Sequence, residues 1–432
     1  MIPKFIISIL IMTLFLTSSA IPRVSADVSP GDVIDKSNWQ KVESLLPEEV
    51  LNWVKKGDFT LEIGKMEANV ADFYPDHAKE ATQTNVGKYE LNELNGLVEL
   101  ATGKLATIIG LPFAQIDPDD PKFAEKVMYN QHYSSTVYGN CKLPSHLTWV
   151  SRSGPEREVS FQWFSFPMVG WPGALELPNP QGIEKYSLLL VTGPFDVAGT
   201  AILLWRYLAP EKQDSTFGYI PAIRRVRRMS PSNRSDAFVG SDATVDDANG
   251  YDGKITDFQW KLLKKQEGLV PWLDSKPTRI TKNEKGEWKT TKDIKRLIWG
   301  YQKDGWQGAP WAPTNLVWVK GPVYVIQMTP KDPYYNYGVH YMWVDARTYG
   351  CNLKIINDRA GKYWKLFVKA DVLCESDDKS MRFISLGPQL VIDEKRDHAT
   401  VIEDVSQRNI WTFFAKMDVD QFTLAGFQKF CK

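Results

Sequence analysis

Apolar and polar residues alternate along most of the second half of the chain. From about Leu147 onward, a period of two recurs in segments such as REVSFQWFSF, GTAILLWRYL and PVYVIQMTP. This alternation is typical of strands that bury one face. Because only short helical insertions separate the segments, neighbouring strands are expected to pair antiparallel. The pattern predicts one strongly curled sheet rather than two sandwich domains.

The first part of the chain shows a helical pattern instead. Residues 31–57 are predicted to be helical, since LPEEVLNWVKKG places a proline and acids early, lysines late and Gly57 just past the end. Further helices are predicted around residues 88–109, after the turn-rich stretch GLPFAQIDPDDP, and at the C-terminus, where Asp418 would open a short helix. We therefore expect one domain, residues 27–432, with a helix-rich part to about residue 146 and a strand-rich part after it.

The N-terminal sequence predicts that the protein is secreted. Lys4 precedes the apolar run FIISILIMTLFL, and Val24, Ser25 and Ala26 are small residues of the kind that a signal peptidase recognises. Residues 1–26 are thus predicted to be a cleaved signal peptide; an uncleaved N-terminal anchor is the alternative. No cysteine follows the cleavage site closely. The expected location is the periplasm, without a lipid anchor.

The charge balance narrows the possible partners. The chain carries 52 basic and 52 acidic residues, and this balance argues against a protein that binds nucleic acid through a basic surface. Aromatic residues are dense, with 16 Trp, 17 Tyr and 20 Phe. In a curled sheet they would surround a wide apolar interior.

The four cysteines, Cys141, Cys351, Cys374 and Cys431, are an even number, as expected for disulfides in an oxidising compartment. A hairpin centred on NDRAGK would bring Cys351 and Cys374 to one edge of the sheet, which leaves Cys141 for Cys431. No cysteine pair has the spacing of a metal site, and the five histidines are scattered. We therefore expect neither a bound metal nor a cofactor.

No catalytic motif is present in the sequence, with one acidic run left as a candidate. SDATVDDANGYDGKITD contains five aspartates from Asp242 to Asp257, and two carboxylates could act as acid and base in a glycoside hydrolase with tryptophans as sugar platforms. The alternative is structural. The basic residues nearby balance these aspartates, which favours internal ion pairs.

The same region resembles a known family. YIPAIRRVRRM, DAFVGSDATVDD and GYDGKITDFQWKLL, together with NWQKVESLLPEEVLNWVKKG, GLPFAQIDPDDP and HATVIEDV, resemble secreted proteobacterial proteins of the family of unknown function 1329. Its members are labelled outer-membrane lipoprotein-sorting proteins, by relation to the carriers LolA and LolB. The resemblance covers nearly the whole mature chain. Ala243 and Val245 depart from it, since members often carry aromatic residues there.

This resemblance implies a mainly β (α+β) fold, a curled, incomplete antiparallel β-barrel with helices closing its concave side. It also implies binding or carriage of a hydrophobic molecule in the cell envelope. A mature chain without an N-terminal cysteine resembles the soluble LolA role rather than the anchored LolB role.

The arginine-rich stretch RRVRR suggests where a head group would bind. On a strand, Arg224, Val226 and Arg228 would share one face. Because this strand would carry arginines on both faces, neither face can be buried away from water. The strand is therefore expected at the open rim of the barrel. There Arg224 and Arg228 would neutralise an anionic head group.

The remaining site residues are assigned by the same hypothesis. Trp260 and Trp343 would contact the apolar part of the ligand, while Asp242, Asp246 and Asp247 would be structural partners of the basic residues. The function that follows is a periplasmic, non-catalytic and monomeric carrier for a lipid or a lipid-anchored protein, with envelope-transport or outer-membrane partners and no nucleic acid. The alternatives are a carbohydrate-active hydrolase using the Asp242–Asp257 carboxylates and an envelope scaffold of a transport complex.

Overall fold

Most of the folded chain is β-sheet. The computed structural model describes residues 28–404 and 406–431; the predicted signal peptide, residues 1–26, lies outside them. Within the described residues the strands are β1 (Val33–Ile34), β2 (Leu61–Gly64), β3 (Tyr89–Leu91), β4 (Leu97–Glu99), β5 (Cys141–Ser151), β6 (Gly154–Pro167), β7 (Ile183–Gly193), β8 (Ala201–Tyr207), β9 (Ser215–Ile220), β10 (Arg225–Met229), β11 (Phe258–Trp272), β12 (Thr278–Lys282), β13 (Trp288–Thr290), β14 (Val317–Pro330), β15 (His340–Asp345), β16 (Cys351–Asn357), β17 (Tyr363–Ser376), β18 (Arg382–Asp393), β19 (His398–Glu403) and β20 (Thr412–Phe413). The α-helices are α1 (Glu48–Lys56), α2 (Asp76–Thr84), α3 (Phe123–Ser134), α4 (Pro172–Leu175) and α5 (Leu424–Phe430).

One large sheet contains all of these strands except β3 and β4, which form a separate hairpin. Its main antiparallel run has the order β11–β14–β15–β16–β17–β18–β19–β5–β6–β7–β8–β9–β10. Among the described strands β10 pairs only with β9, so the run ends in an open edge there. The predicted mainly β fold, with a curled sheet that is not closed as a barrel, is confirmed.

The first predicted helix is present but shorter than expected. α1 begins after Pro47 and ends before Gly57, whose φ of 80° is the left-handed conformation that glycine adopts without strain. Residues 31–46 hold β1 and a 3₁₀ turn, Trp39–Val42, instead of helix.

The helix predicted over residues 88–109 is wrong. This segment contains the β3–β4 hairpin. The side chain of Asn92 accepts hydrogen bonds from the backbone N–H groups of Leu94 (3.0 Å) and Gly96 (2.8 Å). Short polar side chains that bond the local backbone compete with helix formation and favour turns, which explains the difference.

Side chains of β6–β9 alternate between two environments. On one face Phe166, Leu203 and Tyr219 pack with Phe422 and Phe427 of the C-terminal segment. There Asp418 opens the 3₁₀ turn Val419–Phe422, and α5 follows the cap residue Thr423. The opposite face, called the cavity face below, carries the residues of the candidate site.

The predicted disulfides are absent, since Cys141, Cys351, Cys374 and Cys431 are all free thiols. In the β16–β17 ladder Leu353 pairs with Val368, and this register continued places Cys351 opposite Ala370. Cys374 lies four residues further along β17, about 13 Å away at the usual rise of a strand. The pairing of Cys351 with Cys374 is therefore wrong, and with it the pairing of Cys141 with Cys431 that followed by elimination.

A β-bulge separates the two thiols further. Trp343 of β15 pairs with Leu353, whereas the next residue, Val344, pairs with Cys351, so Asn352 is the extra residue. A bulge changes which face the following side chain occupies. Cys351 accordingly packs with Val344, while Cys374 packs in the other apolar cluster of the core.

We expect all four thiols to be titratable without reductant once the protein is unfolded, and reducing agent to leave the melting temperature unchanged. Burial raises the pKa of the half-buried Cys431 to about 11, so even this thiol should react slowly in the native state. Thiol counting in denaturant measures this. Fewer than four reactive thiols would show that the oxidised chain contains a disulfide.

Within the described residues, no helix is both long enough and apolar enough to cross a lipid bilayer.

Candidate functional site

An apolar cavity lies against the cavity face of the sheet. Its empty volume, including the mouth, is about 970 Å³. The sheet contributes mostly apolar side chains from β5 to β8 and from β19, namely Leu147, Phe161, Trp163, Leu189, Ile202, Leu204 and Ile402. Several of these side chains are only half-buried, which leaves apolar surface exposed to the cavity.

The other wall of the cavity is the covering segment, residues 230–257, between β10 and β11. It consists of short 3₁₀ turns rather than α-helix or strand. Two residues within these turns, Val239 and Asn249, have left-handed φ values of 48° and 54°, so regular helix cannot continue through them. The segment contributes Phe238, Ala243 and Val245 to the cavity lining.

Buried ion pairs hold the covering segment to the sheet, and the first joins Asp247 to β16. Its carboxylate lies 2.6 Å from the Lys354 ammonium, with the two side chains 3% and 1% exposed. Thr244 also donates its backbone N–H (2.8 Å) and its hydroxyl (3.0 Å) to Asp247. Burial alone would raise the pKa of Asp247, but Lys354, Lys365 and the Thr244 N–H together outweigh burial and hold the pKa below its ordinary value.

The second attachment lies at Arg234. Its guanidinium contacts the Asp246 carboxylate and lies 3.5 Å from Asp214. The hydroxyl of Tyr335 donates to Asp246 at 2.9 Å. All of these polar groups are buried, so each depends on the others for hydrogen bonds.

A third set of buried charges surrounds Asp252. Its carboxylate contacts the ammonium of Lys185 on β7 and lies 3.6 Å from the guanidinium of Arg206 on β8. Burial would raise the pKa of Asp252, but these cations together hold it at about 2. Asp252 is therefore charged throughout the neutral and mildly acidic range.

The fourth attachment joins Asp242 to β19. One oxygen of Asp242 lies 2.6 Å from His398 Nδ1 and accepts a hydrogen bond from the Thr400 hydroxyl at 2.9 Å. Because side chains alternate along a strand, His398, Thr400 and Ile402 share one face. This arrangement brings two of the resembling motifs, GSDATVDD and HATVIEDV, into contact.

Asp404, the next residue on this face after Ile402, lies at the cavity wall. It is buried, accepts a hydrogen bond from the Ser145 hydroxyl (2.9 Å), and contacts the Gln389 amide. No cation lies within 4.0 Å of it among the described residues. Burial raises the pKa of Asp404 to about 7, so the carboxyl is partly protonated near neutral pH.

The arginine-rich stretch lies at the open edge of the sheet, as expected, but its faces differ from those predicted. Arg224 lies in the turn before β10 with a φ of 49°. Arg225 and Arg227 share a strand face with Met229, which lines the cavity. Arg228 faces the other way, with its guanidinium 3.3 Å from the Ser215 hydroxyl. The structure thus does not bring Arg224 and Arg228 together in the cavity.

The aspartates do not pair with these rim arginines. Among the described residues, none of Arg224, Arg225, Arg227 and Arg228 forms an ion pair, and all four are exposed. Asp242, Asp246 and Asp247 instead pair with His398, Arg234 and Lys354. The expected pairing of the rim strand with the aspartates is therefore wrong, and most of the partners come from distant strands.

The two tryptophans chosen from the sequence do not line the cavity. Trp260 is buried and donates from its indole nitrogen to the Ile255 carbonyl at 2.7 Å. Trp343 is buried in the same apolar cluster of the core as Cys374. The geometry offers no support for either as a ligand residue.

Four of the five carboxylates considered for a hydrolase are engaged elsewhere. Asp242, Asp246, Asp247 and Asp252 are at most partly exposed and bonded to protein cations, as described above. A general acid or base must come within hydrogen-bond reach of its substrate. These four cannot do so without breaking buried ion pairs.

Sequence reasoning missed the residues that line the cavity. The alternation in SFQWFSF and YSLLLVTG predicts strands, yet both faces of these strands are apolar. Periodicity alone therefore does not tell which face meets a cavity. Asp404 had a signal that was not used, because a carboxylate two positions beyond the apolar Ile402, on the same strand face, requires either a partner or an altered pKa.

The family model described as protein of unknown function (DUF1329) matches residues 33–428. No curated protein is similar to the chain in sequence.

Three solved structures are similar to parts of the fold. A domain from Vibrio parahaemolyticus, provisionally described as an outer membrane lipoprotein-sorting protein, is 15% identical over 71% of this chain and 98% of its own, with a TM-score of 0.47. A DUF1329 family protein from Desulfovibrio piger is 16% identical over 70% and 97%, with a TM-score of 0.47. The LolA superfamily protein NE2245 from Nitrosomonas europaea is 12% identical over 70% and 98%, with a TM-score of 0.41. At these scores the likeness is loose.

Proposed function

The chain belongs to the DUF1329 family, and we propose that it is a carrier or binding protein for a lipid-like hydrophobic molecule, acting in the periplasm without covalent chemistry. One observation carries this proposal, namely the apolar cavity between the sheet and the covering segment. Its half-buried leucine and isoleucine side chains would be covered by an apolar ligand, and burial of such surface drives binding.

The lining of the cavity suits a ligand with a large apolar part. Sites for small molecules commonly have mostly apolar walls and a few polar groups that orient the ligand. Here the polar groups at the wall include Asp404, Gln389 and Arg234. A mostly apolar molecule with one polar end matches this distribution better than a sugar, which would need polar groups throughout.

The location and partners belong to the same proposal. The predicted signal peptide would deliver the chain to the periplasm, where a lipid or a lipid-anchored protein is available as ligand. Envelope-transport or outer-membrane proteins would then be the donor and acceptor. The chain from residue 27 to residue 432 would act as one domain.

The ligand is tested by purifying the chain from periplasm and analysing an organic-solvent extract by mass spectrometry. We expect close to one lipid per protein. Replacing Leu189 or Ile202 with Trp, each in a separate variant, would fill the cavity and should remove most of the lipid. Leu190→Trp is the matched control, because Leu190 neighbours Leu189 on β7 but packs on the opposite face.

Thermal melting of each variant shows whether it is folded. Lipid retained equally by the Leu189 and Leu190 variants would place the ligand elsewhere. A lipid-free protein that cleaves glycans would replace the carrier by a hydrolase.

A further inference from the structure

A second surface lies outside the cavity, at the end of the sheet where two turns meet. These turns are residues 194–200, between β7 and β8, and residues 221–224, between β9 and β10. The β8–β9 ladder pairs Ala201 with Tyr219, which brings both turns to the same end of the sheet. The turns come close together, since a Cβ on Gly199 would lie 3.1 Å from Pro221.

The tips of both turns expose apolar side chains. Phe195 is 99% exposed, and Ile220 and Ile223 are 51% and 43% exposed. A fully exposed phenylalanine side chain does not stabilise the folded state, because apolar side chains contribute to stability through burial. These three residues contribute an apolar tip that the described part of the protein leaves uncovered.

The four exposed arginines lie directly beside this tip. Arg225 pairs with Ile220 in the β9–β10 ladder, Arg224 is in the turn, and Arg227 and Arg228 follow along the open edge. The nearest acidic residue of the other turn, Asp196, lies 2.7 Å from the Arg157 guanidinium, so that pair adds no net charge. Four positive charges therefore lie beside the apolar tip, in one turn and along the open edge of the sheet.

The apolar tip and the four arginines together are called the corner below. We propose that this corner docks the protein onto the surface of an anionic lipid bilayer. Phe195, Ile220 and Ile223 would enter the boundary between head groups and acyl chains, and the arginines would bind lipid phosphates. Arginine along a strand edge also discourages pairing with other chains, but that role does not require an apolar tip.

The corner is connected to the cavity through one turn. Val197, two residues from Phe195, packs against the apolar cluster that contains Phe161, a residue that lines the cavity. Docking here would therefore place the cavity wall next to the bilayer. The proposal itself rests on exposed residues and does not depend on the carrier function.

The test measures co-sedimentation of the mature chain with vesicles of phosphatidylcholine, with and without phosphatidylglycerol. We expect binding only to the anionic vesicles, weakening as salt rises. Replacing the four arginines with glutamine should weaken binding by roughly 10²-fold or more, at about fivefold for each charge near the surface. Phe195→Ser should weaken it by roughly tenfold.

The matched control removes four exposed lysines elsewhere, by Lys261→Gln, Lys264→Gln, Lys285→Gln and Lys320→Gln. This variant should bind like the wild type, apart from a small effect of net charge. Replacement of the four arginines with lysine should retain most of the binding, since the charge is kept. The Leu189→Trp variant should also dock normally, which separates this proposal from the carrier function.

Equal binding by the arginine-to-glutamine and lysine-to-glutamine variants would overturn the proposal. Absence of binding between the wild-type protein and anionic vesicles would also overturn it. Binding to polyglutamate that depends on the arginines, with no contribution from Phe195 to vesicle binding, would assign the corner to an acidic protein partner instead.

Discussion

Replacing Asp247 with alanine is expected to lower the free energy of unfolding by about 3–5 kcal/mol, the usual cost of removing one partner of a buried ion pair. The variant leaves the Lys354 ammonium, 1% exposed, with the Gly250 carbonyl at 2.7 Å as its remaining hydrogen-bond acceptor. It also leaves the N–H and hydroxyl of Thr244 without their acceptor. Urea unfolding at neutral pH, followed by tryptophan fluorescence, measures the loss.

Asp236→Ala is the matched control in the same segment. Asp236 is exposed and accepts hydrogen bonds from Asn233 and Asn336, so its loss should change stability by less than about 1 kcal/mol. Adding Lys354→Met to Asp247→Ala removes the uncompensated charge and should recover most of the stability. If the double variant is less stable than Asp247→Ala, the charge of Lys354 is not what makes the single variant unstable.

These ion pairs also show where sequence reasoning reached its limit. The balance of arginines and aspartates over residues 224–257 indicated internal pairing, and four of the aspartates are indeed paired. Charge balance, however, does not identify partners. Lys354 lies 107 residues from Asp247, and His398 lies 156 residues from Asp242. Only the curl of the sheet brings these strands beneath the covering segment.

The strands were more predictable than what covers them. Alternation in PVYVIQMTP and in the segments of β6 to β8 is a local property, and the structure forms strands at each of them. The covering segment has no period, because it is built from turns whose positions depend on contacts with several strands. An irregular wall of this kind leaves only its glycines, asparagines and aspartates as local signals.

The predicted disulfide pairing was wrong for a related reason. The hairpin around NDRAGK is present, but the pairing of Cys351 with Cys374 required a slip of several residues. The bulge at Asn352 instead directs Cys351 into the apolar cluster that contains Val344, away from the cluster that contains Cys374. A single inserted residue reverses the faces of a strand, and the sequence marks it only by the neighbouring glycine.

Asp404 should make the protein less stable as pH rises from about 4 to about 8. Its pKa is about 7 in the folded state and about 3.9 in an unfolded chain. Between these values the folded state binds more protons than the unfolded state, so the stability that the protonated carboxyl contributes is lost as pH rises through 7. A shift of about three pKa units corresponds to roughly 4 kcal/mol.

The Asp404→Asn variant tests this sign directly. Asparagine stays neutral, but its amide cannot accept from both Ser145 and Gln389, which costs about 1 kcal/mol. Near pH 4 the variant should therefore be slightly less stable than the wild type, and near pH 8 more stable by roughly 3 kcal/mol. His340, whose pKa is lowered to about 3 by burial, acts in the opposite direction in both proteins and cancels in the difference. Urea unfolding at several pH values gives this difference. If it does not change between pH 4 and pH 8, Asp404 has an ordinary pKa and is better solvated than the structure indicates.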